Sequence, residues 1–283
     1  MMDSAMIGSQ PKRTLSLSAL VEAWLGLSRP VARDAIERAE FTPDHFESYC
    51  ARCGESVGPG EAMPDGCGEC RRKPATADRV IRLGRYDSPL KEWISGIKYE
   101  GWTEMGEALG ALLAQRIAAS AAIDPAQAIV VPVPMPWQRR LYRGIDHARF
   151  IAEAASRHLH LRLFPILTKR NGEPQVAVAT ATQRRRGRKD WIRIRRRMGG
   201  WPLDGLHVIL VDDVRTTGTT LRTCARLLRG LGAERTVAAV LAVTDSPARR
   251  GGSASSNSIA AGTAPQNSIW IPKPTIQPNS SSP

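Results

Sequence analysis

No run of the ~18 apolar residues needed for a membrane-spanning helix occurs in the 283 residues. That absence excludes a hydrophobic helical span. The stretch LSLSALVEAWLGL (15–27) follows Lys12 and Arg13, as the core of a signal peptide would. Glu22 interrupts it and no small-residue cleavage site follows, so it reads as an amphipathic helix. Aromatic residues make up only 5%. A globular core must therefore come mainly from aliphatic side chains, which the 42% hydrophobic content allows. Cysteines number five, and nothing marks the chain as secreted. The thiols are expected to stay reduced in a cytoplasmic setting. No internal repeat is evident, which excludes a solenoid. Acidic residues are nearly missing from one segment. Residues 137–200 hold 17 Lys and Arg against 4 Asp and Glu, which accounts for the whole net charge of +13. Such a concentration suits a polyanionic ligand, or is simply a solvated basic face.

Hydrophobic patterning then organises the chain. Residues 15–39 read as a helix with Leu20, Trp24 and Leu27 roughly on one face. RVIRLGRY (79–86) alternates like a strand. Residues 89–98, 104–119, 145–158 and 218–231 read as helices. The runs AIVVPVP (128–134), LHVILV (206–211) and RTVAAVLAV (235–243) are apolar throughout, as buried parallel strands are. Alternating strands and helices of this kind predict an α/β fold with an open, mostly parallel sheet covered on both faces. Expected boundaries are an N-terminal helical extension (1–47), a cysteine module (48–75), an α/β domain (78–245) and a disordered Ser/Pro/Ala-rich tail (246–283).

Four cysteines, Cys50, Cys53, Cys67 and Cys70, have the spacing C-x2-C-x13-C-x2-C. Two residues between thiolates allow a tight turn to present both sulfurs to one ion. Two such turns make a tetrahedral set, with structural Zn²⁺ as the natural ligand. Gly54 after the first pair and Gly68 within the second are expected to permit those turns. A fully occupied set leaves no open position for catalysis. Cys224 stands alone on a predicted helix and is expected to be a buried apolar residue.

The stretch VILVDDVRTTGTTL (208–221) carries the most chemistry. A buried strand brings Asp212 and Asp213 to its tip. The small residues Thr216, Thr217, Gly218, Thr219 and Thr220 follow and open into a helix. Free amides and the positive end of that helix favour a phosphate. Gly218 permits close approach and the threonines add hydroxyl donors. Two carboxylates one loop-width away can accept hydrogen bonds from a ribose diol. Phosphate and diol together predict a phosphorylated sugar.

The same stretch resembles the sugar-phosphate loop of type I phosphoribosyltransferases. Zinc-ribbon cysteines, IKYEG (97–101), VPVPM (131–135), RRLYRG (139–144), Gln175 and VDDVRTTGTTL follow in the order of the ComF family, including its ComFC and GntX-type proteins. The resemblance spans roughly residues 48–245. It implies a type I phosphoribosyltransferase-like sheet preceded by a zinc ribbon, and binding of phosphoribosyl pyrophosphate with Mg²⁺. It also implies a part in natural transformation, with single-stranded DNA and a DNA-uptake helicase or inner-membrane competence machinery as partners. Localisation would then be cytoplasmic, with a peripheral place at the inner face of the membrane.

Arg139, Arg140 and Arg143 are assigned to the leaving pyrophosphate. Lys98, Gln175, Arg184, Arg185 and Arg186 are candidate ligand or DNA contacts. The basic segment 169–200 is either a hood over the site or a DNA contact with Trp191 and Trp201. Where the family reads RGFNQA, this chain reads RGIDHA (143–148). His147 there is a candidate base, weighed against a solvated or capping histidine. Some purine enzymes carry an acid where Thr216 stands. Transfer to an unknown acceptor therefore competes with non-catalytic binding, with nucleotide salvage lacking a DNA role, and with a zinc-ribbon adaptor.

Overall fold

The structure is a computed structural model and describes residues 31–61, 63, 65–136, 144–169, 191–195 and 202–250. The expected helical face at Leu20, Trp24 and Leu27 lies outside the described residues. So do Arg139, Arg140, Arg143, Gln175, Arg184, Arg185, Arg186, Trp201 and the tail from 251.

Apolar runs of valine, isoleucine, leucine and alanine become the central strands. Five parallel strands lie in the order β1 (Arg79–Arg85), β7 (Arg235–Val243), β6 (His207–Arg215), β2 (Ala128–Pro132) and β3 (Arg162–Leu163). The helices are α1 (Ala32–Arg38), α2 (Leu90–Glu100), α3 (Thr103–Ala119), α4 (His147–Leu159) and α5 (Thr219–Arg229). Ile209 and Val211 of β6 face one core layer with Leu109, Leu113 and Ile151. Val208 and Leu210 face the other with Leu221, Cys224 and Leu228. Period-2 alternation within one apolar strand thus feeds helices on both faces, as a parallel sheet requires.

This order fixes where a ligand can enter. Strand β2 leads through α4 to β3 on one side, whereas β6 leads through α5 to β7 on the other. Neighbouring strands that depart in opposite directions leave a crevice at their carboxyl ends. Two short strands, β4 (Leu167–Lys169) and β5 (Ile192–Ile194), pair antiparallel and set Lys169 opposite Ile192. Lys169 Nζ sits 4.2 Å from the centroid of the Trp191 ring. Trp191 itself packs half-buried against the second core layer.

One strand expectation needs correction. Strand β6 does not end at Val211. It continues to Arg215, because Asp212, Val214 and Arg215 keep pairing with Val240, Ala242 and Val243 of β7. Strand β1 forms over the alternating stretch as expected. Arg82, which alternation would expose, is buried because the segments around Asp44, Gly54 and Asp245 close over it.

Candidate functional site

Because Asp212 and Asp213 lie within β6, they point to opposite sides of the sheet rather than forming one adjacent pair. Asp213 turns toward α2, where Lys98 Nζ stands 3.0 Å from its Oδ2. Asp212 lies on the side of Cys224 and Lys169. Burial, and then the charge of Asp213, push its carboxyl up to about 8; Lys98 and Lys169 oppose that shift. Neither acid is sealed in the interior, and Asp213 keeps 16% of its side-chain surface. Cys224 is fully buried, as expected for an apolar residue. Its thiol is held well above the usual range by burial and by Asp212.

Past Arg215 the strand gives way to the small-residue loop. Gly218 adopts φ +69°, and a methyl group there would meet Thr76 Oγ1 at 2.8 Å. Glycine is needed for both the conformation and the contact. Thr217 and Thr219 share a hydroxyl hydrogen bond of 3.0 Å. Helix α5 starts at Gly218 without a side-chain cap; the Thr219 amide makes only a long 3.5 Å bond to Thr217 Oγ1, and the end of the helix lies at the carboxyl edge of the sheet. Here the structure places Thr216, Thr217, Gly218, Thr219 and Thr220 together, just past the strand end that carries both acids.

The four module cysteines converge. Their sulfurs lie within 4.8 Å of one another, with Cys50 to Cys70 at 3.6 Å and Cys53 to Cys67 at 3.8 Å. Zn²⁺ bonds of about 2.3 Å in a tetrahedron need sulfurs about 3.8 Å apart, so the donor set fits that ion. No cysteine is in a disulfide. The Cys67 amide donates to Cys50 Sγ at 3.3 Å, a contact that favours a thiolate. Gly54 has φ +78° and packs on Val80, as expected of the first turn. The second turn uses Gly66, with φ +108° against Cys70 Sγ, and not Gly68. Gly66 precedes the third cysteine rather than sitting between the pair, which is why spacing missed it.

His147 is neither solvated nor a cap. It is fully buried as the first residue of α4, and Asp146 caps that helix by accepting from the Arg149 amide at 3.2 Å. Sequence reasoning also missed two buried cations. Arg82 donates to Gly54 O at 2.6 Å and to Ser56 Oγ at 2.9 Å, and it pairs with Asp44 at 2.6 Å and Asp245 at 3.7 Å. Arg215 reaches Glu55 Oε1 at 3.1 Å. Both tie the cysteine module to the sheet. No sequence signal marks Arg82, because its partners lie far apart in the chain. Arg215 could have been suspected as a charge inside an apolar strand and loop.

Two depressions flank this edge. A smaller one of about 140 Å³ follows β2, with Pro134, Asp146, Lys169 and Arg195 in its wall. A larger one of about 360 Å³ lies between the loop and the cysteine module, and neither Asp212 nor Asp213 lines it. Among the described residues, no helix is long and apolar enough to cross a membrane.

Comparison with known proteins places this geometry. A family model described as a phosphoribosyl transferase domain matches residues 147–261. The chain is 30% identical over 190 residues to the DNA utilization protein YhgH of Salmonella typhi, covering 66% of this chain and 80% of that protein. Competence protein F of Haemophilus influenzae is 29% identical over 189 residues, covering 66% and 80%. Competence protein ComFC of Bacillus subtilis is 27% identical over 214 residues, covering 70% and 84%.

Proposed function

This chain belongs to the ComF family, and on that premise we propose that it binds phosphoribosyl pyrophosphate with Mg²⁺ and acts in competence-related handling of single-stranded DNA. The observation that carries the first part is the run 208–220, which ends a central strand at the topological crevice and opens into an uncapped helix. Residues 216–220 would anchor the 5′-phosphate through amides and hydroxyls. A ribose laid across the end of β6 would offer its hydroxyls to Asp212 on one side and Asp213 on the other. Lys98 already holds Asp213. Binding of the diol therefore exchanges an ion pair for a hydrogen bond, and frees an ammonium to meet a phosphoryl oxygen. The pyrophosphate would fall to Arg139, Arg140 and Arg143 in the segment after β2.

Mg²⁺ suits this set because it usually takes one or two carboxylates together with substrate phosphates. When bound, it would neutralise charge on the departing pyrophosphate. The chain's own part in a transfer is to anchor the phosphate, orient the ribose and surround the leaving group with cations. The reaction class is a pentosyl transfer, and its acceptor is left open. The DNA part rests on two supports. Relatives are named for DNA utilization and competence, and the whole net charge sits in residues 137–200.

Calorimetry tests the core of this reading. With Mg²⁺ present, phosphoribosyl pyrophosphate should bind the native chain, and Asp212→Ala/Asp213→Ala should weaken it by about 10-fold or more. Equal affinity in the variant would end the diol assignment. Pyrophosphate release with a panel of bases separates an enzyme from a non-catalytic binder. Binding of oligothymidylate should fall steeply with salt, and a flat salt response would remove the electrostatic DNA contact.

A further inference from the structure

The larger cavity shares Thr216 and Thr217 with the sugar-phosphate loop, but neither Asp212 nor Asp213 lines it. Its remaining walls come mainly from the cysteine module, α5 and the segment after β7, and no residue of β2 lines it. Its walls include Arg52 and Lys73 of the module, the intervening Thr76, Arg215, Thr217, and Arg222 of α5. Arg215 is only 6% exposed, and its buried Nε has no acceptor. The Nε of Arg222 is likewise buried without an acceptor. No acid among the described residues pairs with Arg222, whose guanidinium titrates lower than usual because of burial and then the nearby charge of Arg215.

The acids of this cleft are already engaged. Glu55 pairs with Arg215, Glu69 with Lys73 at 3.5 Å, and Asp245 with Arg82 and Arg85. Arg215 and Arg222 feel one another's charge, and Glu55, which pairs with Arg215, is the one carboxylate paired with either, an unbalanced arrangement in a partly dry site. Their planar forks match the oxygens of a phosphoryl group. Around them the walls carry threonine hydroxyls and no aromatic ring, so nothing there stacks a base. The volume falls near the lower end for small-molecule sites, about 300–1,000 Å³.

We propose that this cleft is a second phosphoryl site, which takes a small phosphate- or pyrophosphate-type oxyanion between Arg215, Arg222 and the cysteine module. The site does not depend on the sugar-phosphate reading. It does touch the same loop, since Thr76 packs on Gly218 and Arg215 precedes Thr216. An anion bound here would brace the module against the loop from behind.

The test uses the full-length, zinc-loaded chain, with inorganic phosphate and pyrophosphate as probes in calorimetry and ³¹P NMR. Binding should persist when phosphoribosyl pyrophosphate and Mg²⁺ are saturating. Arg222→Gln should weaken the probes at least about tenfold, and Arg222→Lys should lose less. Thermal midpoints of both variants check that they fold, and the binding comparison uses whichever retains the native midpoint. Unchanged probe affinity in Arg222→Gln overturns the site. One-for-one displacement by phosphoribosyl pyrophosphate overturns it too, because the anion would then sit in the crevice. Displacement by oligothymidylate that strengthens with length assigns the cleft to a nucleic-acid strand and removes the small-oxyanion reading. If phosphoribosyl pyrophosphate fails to bind at all, the sugar reading falls while the probe titrations still decide this one.

Discussion

The cysteine module and the carboxyl edge of the sheet are both organised by polar groups, but over very different distances in the chain. All four module sulfurs come from residues 50–70, and two short turns suffice to gather them. At the sheet edge, Lys98 meets Asp213, Glu55 meets Arg215, and Asp44 and Asp245 meet Arg82. Those pairs exist only once the fold is complete. A local device can carry its own stability through a metal. A long-range device draws its stability from the sheet and returns it as fixed side-chain positions. The comparison becomes sharper, or breaks, under three perturbations.

Metal removal is expected to have the largest effect. One Zn²⁺ per chain should be found by elemental analysis, and Cys53→Ser should lose it. Structural zinc contributes about 10–16 kcal/mol of apparent binding energy in zinc-finger peptides, comparable to the whole stability of a domain. Hydrogen exchange should then show the module's amides unprotected while those of β6 and β7 stay slow. Simultaneous loss of protection in both would show that module and sheet are one cooperative unit, and the contrast would disappear.

Next in size is the buried arginine that joins the two regions. Asp245 is 5% exposed and also accepts from the Ser56 amide at 2.9 Å. Asp245→Ala leaves Arg82 with a buried charge short of a partner. Removing one member of such a pair costs about 3–5 kcal/mol, which chemical denaturation would read directly. Replacing both together, Arg82→Met with Asp245→Leu, should recover most of that loss. A single variant as stable as the native chain would show that Asp44 alone suffices for Arg82.

These two perturbations also mark what was legible in the sequence. Apolar runs showed which segments become parallel strands, because a strand covered on both faces must be apolar throughout. Paired cysteines at two-residue spacing showed the metal site for an equally local reason. The end of β6 was not legible. Aspartate and arginine normally disfavour a strand interior, yet main-chain pairing with β7 carries the strand through Asp212 to Arg215. Placing the acids at the tip therefore put them side by side, whereas the sheet sets them on opposite faces. The burial of Arg82 was not legible for a related reason. Alternation predicts which side a residue faces, but not that a separate module will cover that side. His147 followed the same rule, since its burial depends on how α4 packs and not on its own neighbours. Gly66 was passed over in favour of Gly68 because position within the motif is no guide to φ.

The smallest effect concerns Asp212 and turns on the sign of its pH dependence. Its carboxyl is pushed up to about 8 in the folded chain, first by burial and then by Asp213, against 3.8 as the ordinary value. Between those two values the folded state holds a proton that the unfolded state has released. Stability therefore falls as pH rises through that window, and the full cost is reached only above the folded value. Asp212→Asn removes the group that must ionise in a confined site. It should raise the thermal midpoint at pH 8.5, by an amount on the order of several degrees, and by less at pH 5. Ligand affinity should move the opposite way in the native chain. A carboxylate that accepts from a ribose hydroxyl works best when ionised, so phosphoribosyl pyrophosphate should bind more tightly at pH 8.5 than at pH 6.5, and Asp212→Asn should flatten that dependence. A midpoint gain that is the same at pH 5 and pH 8.5 would show that Asp212 is ionised throughout. The edge of the sheet would then be as well compensated as the cysteine module, with no electrostatic cost left for a ligand to relieve.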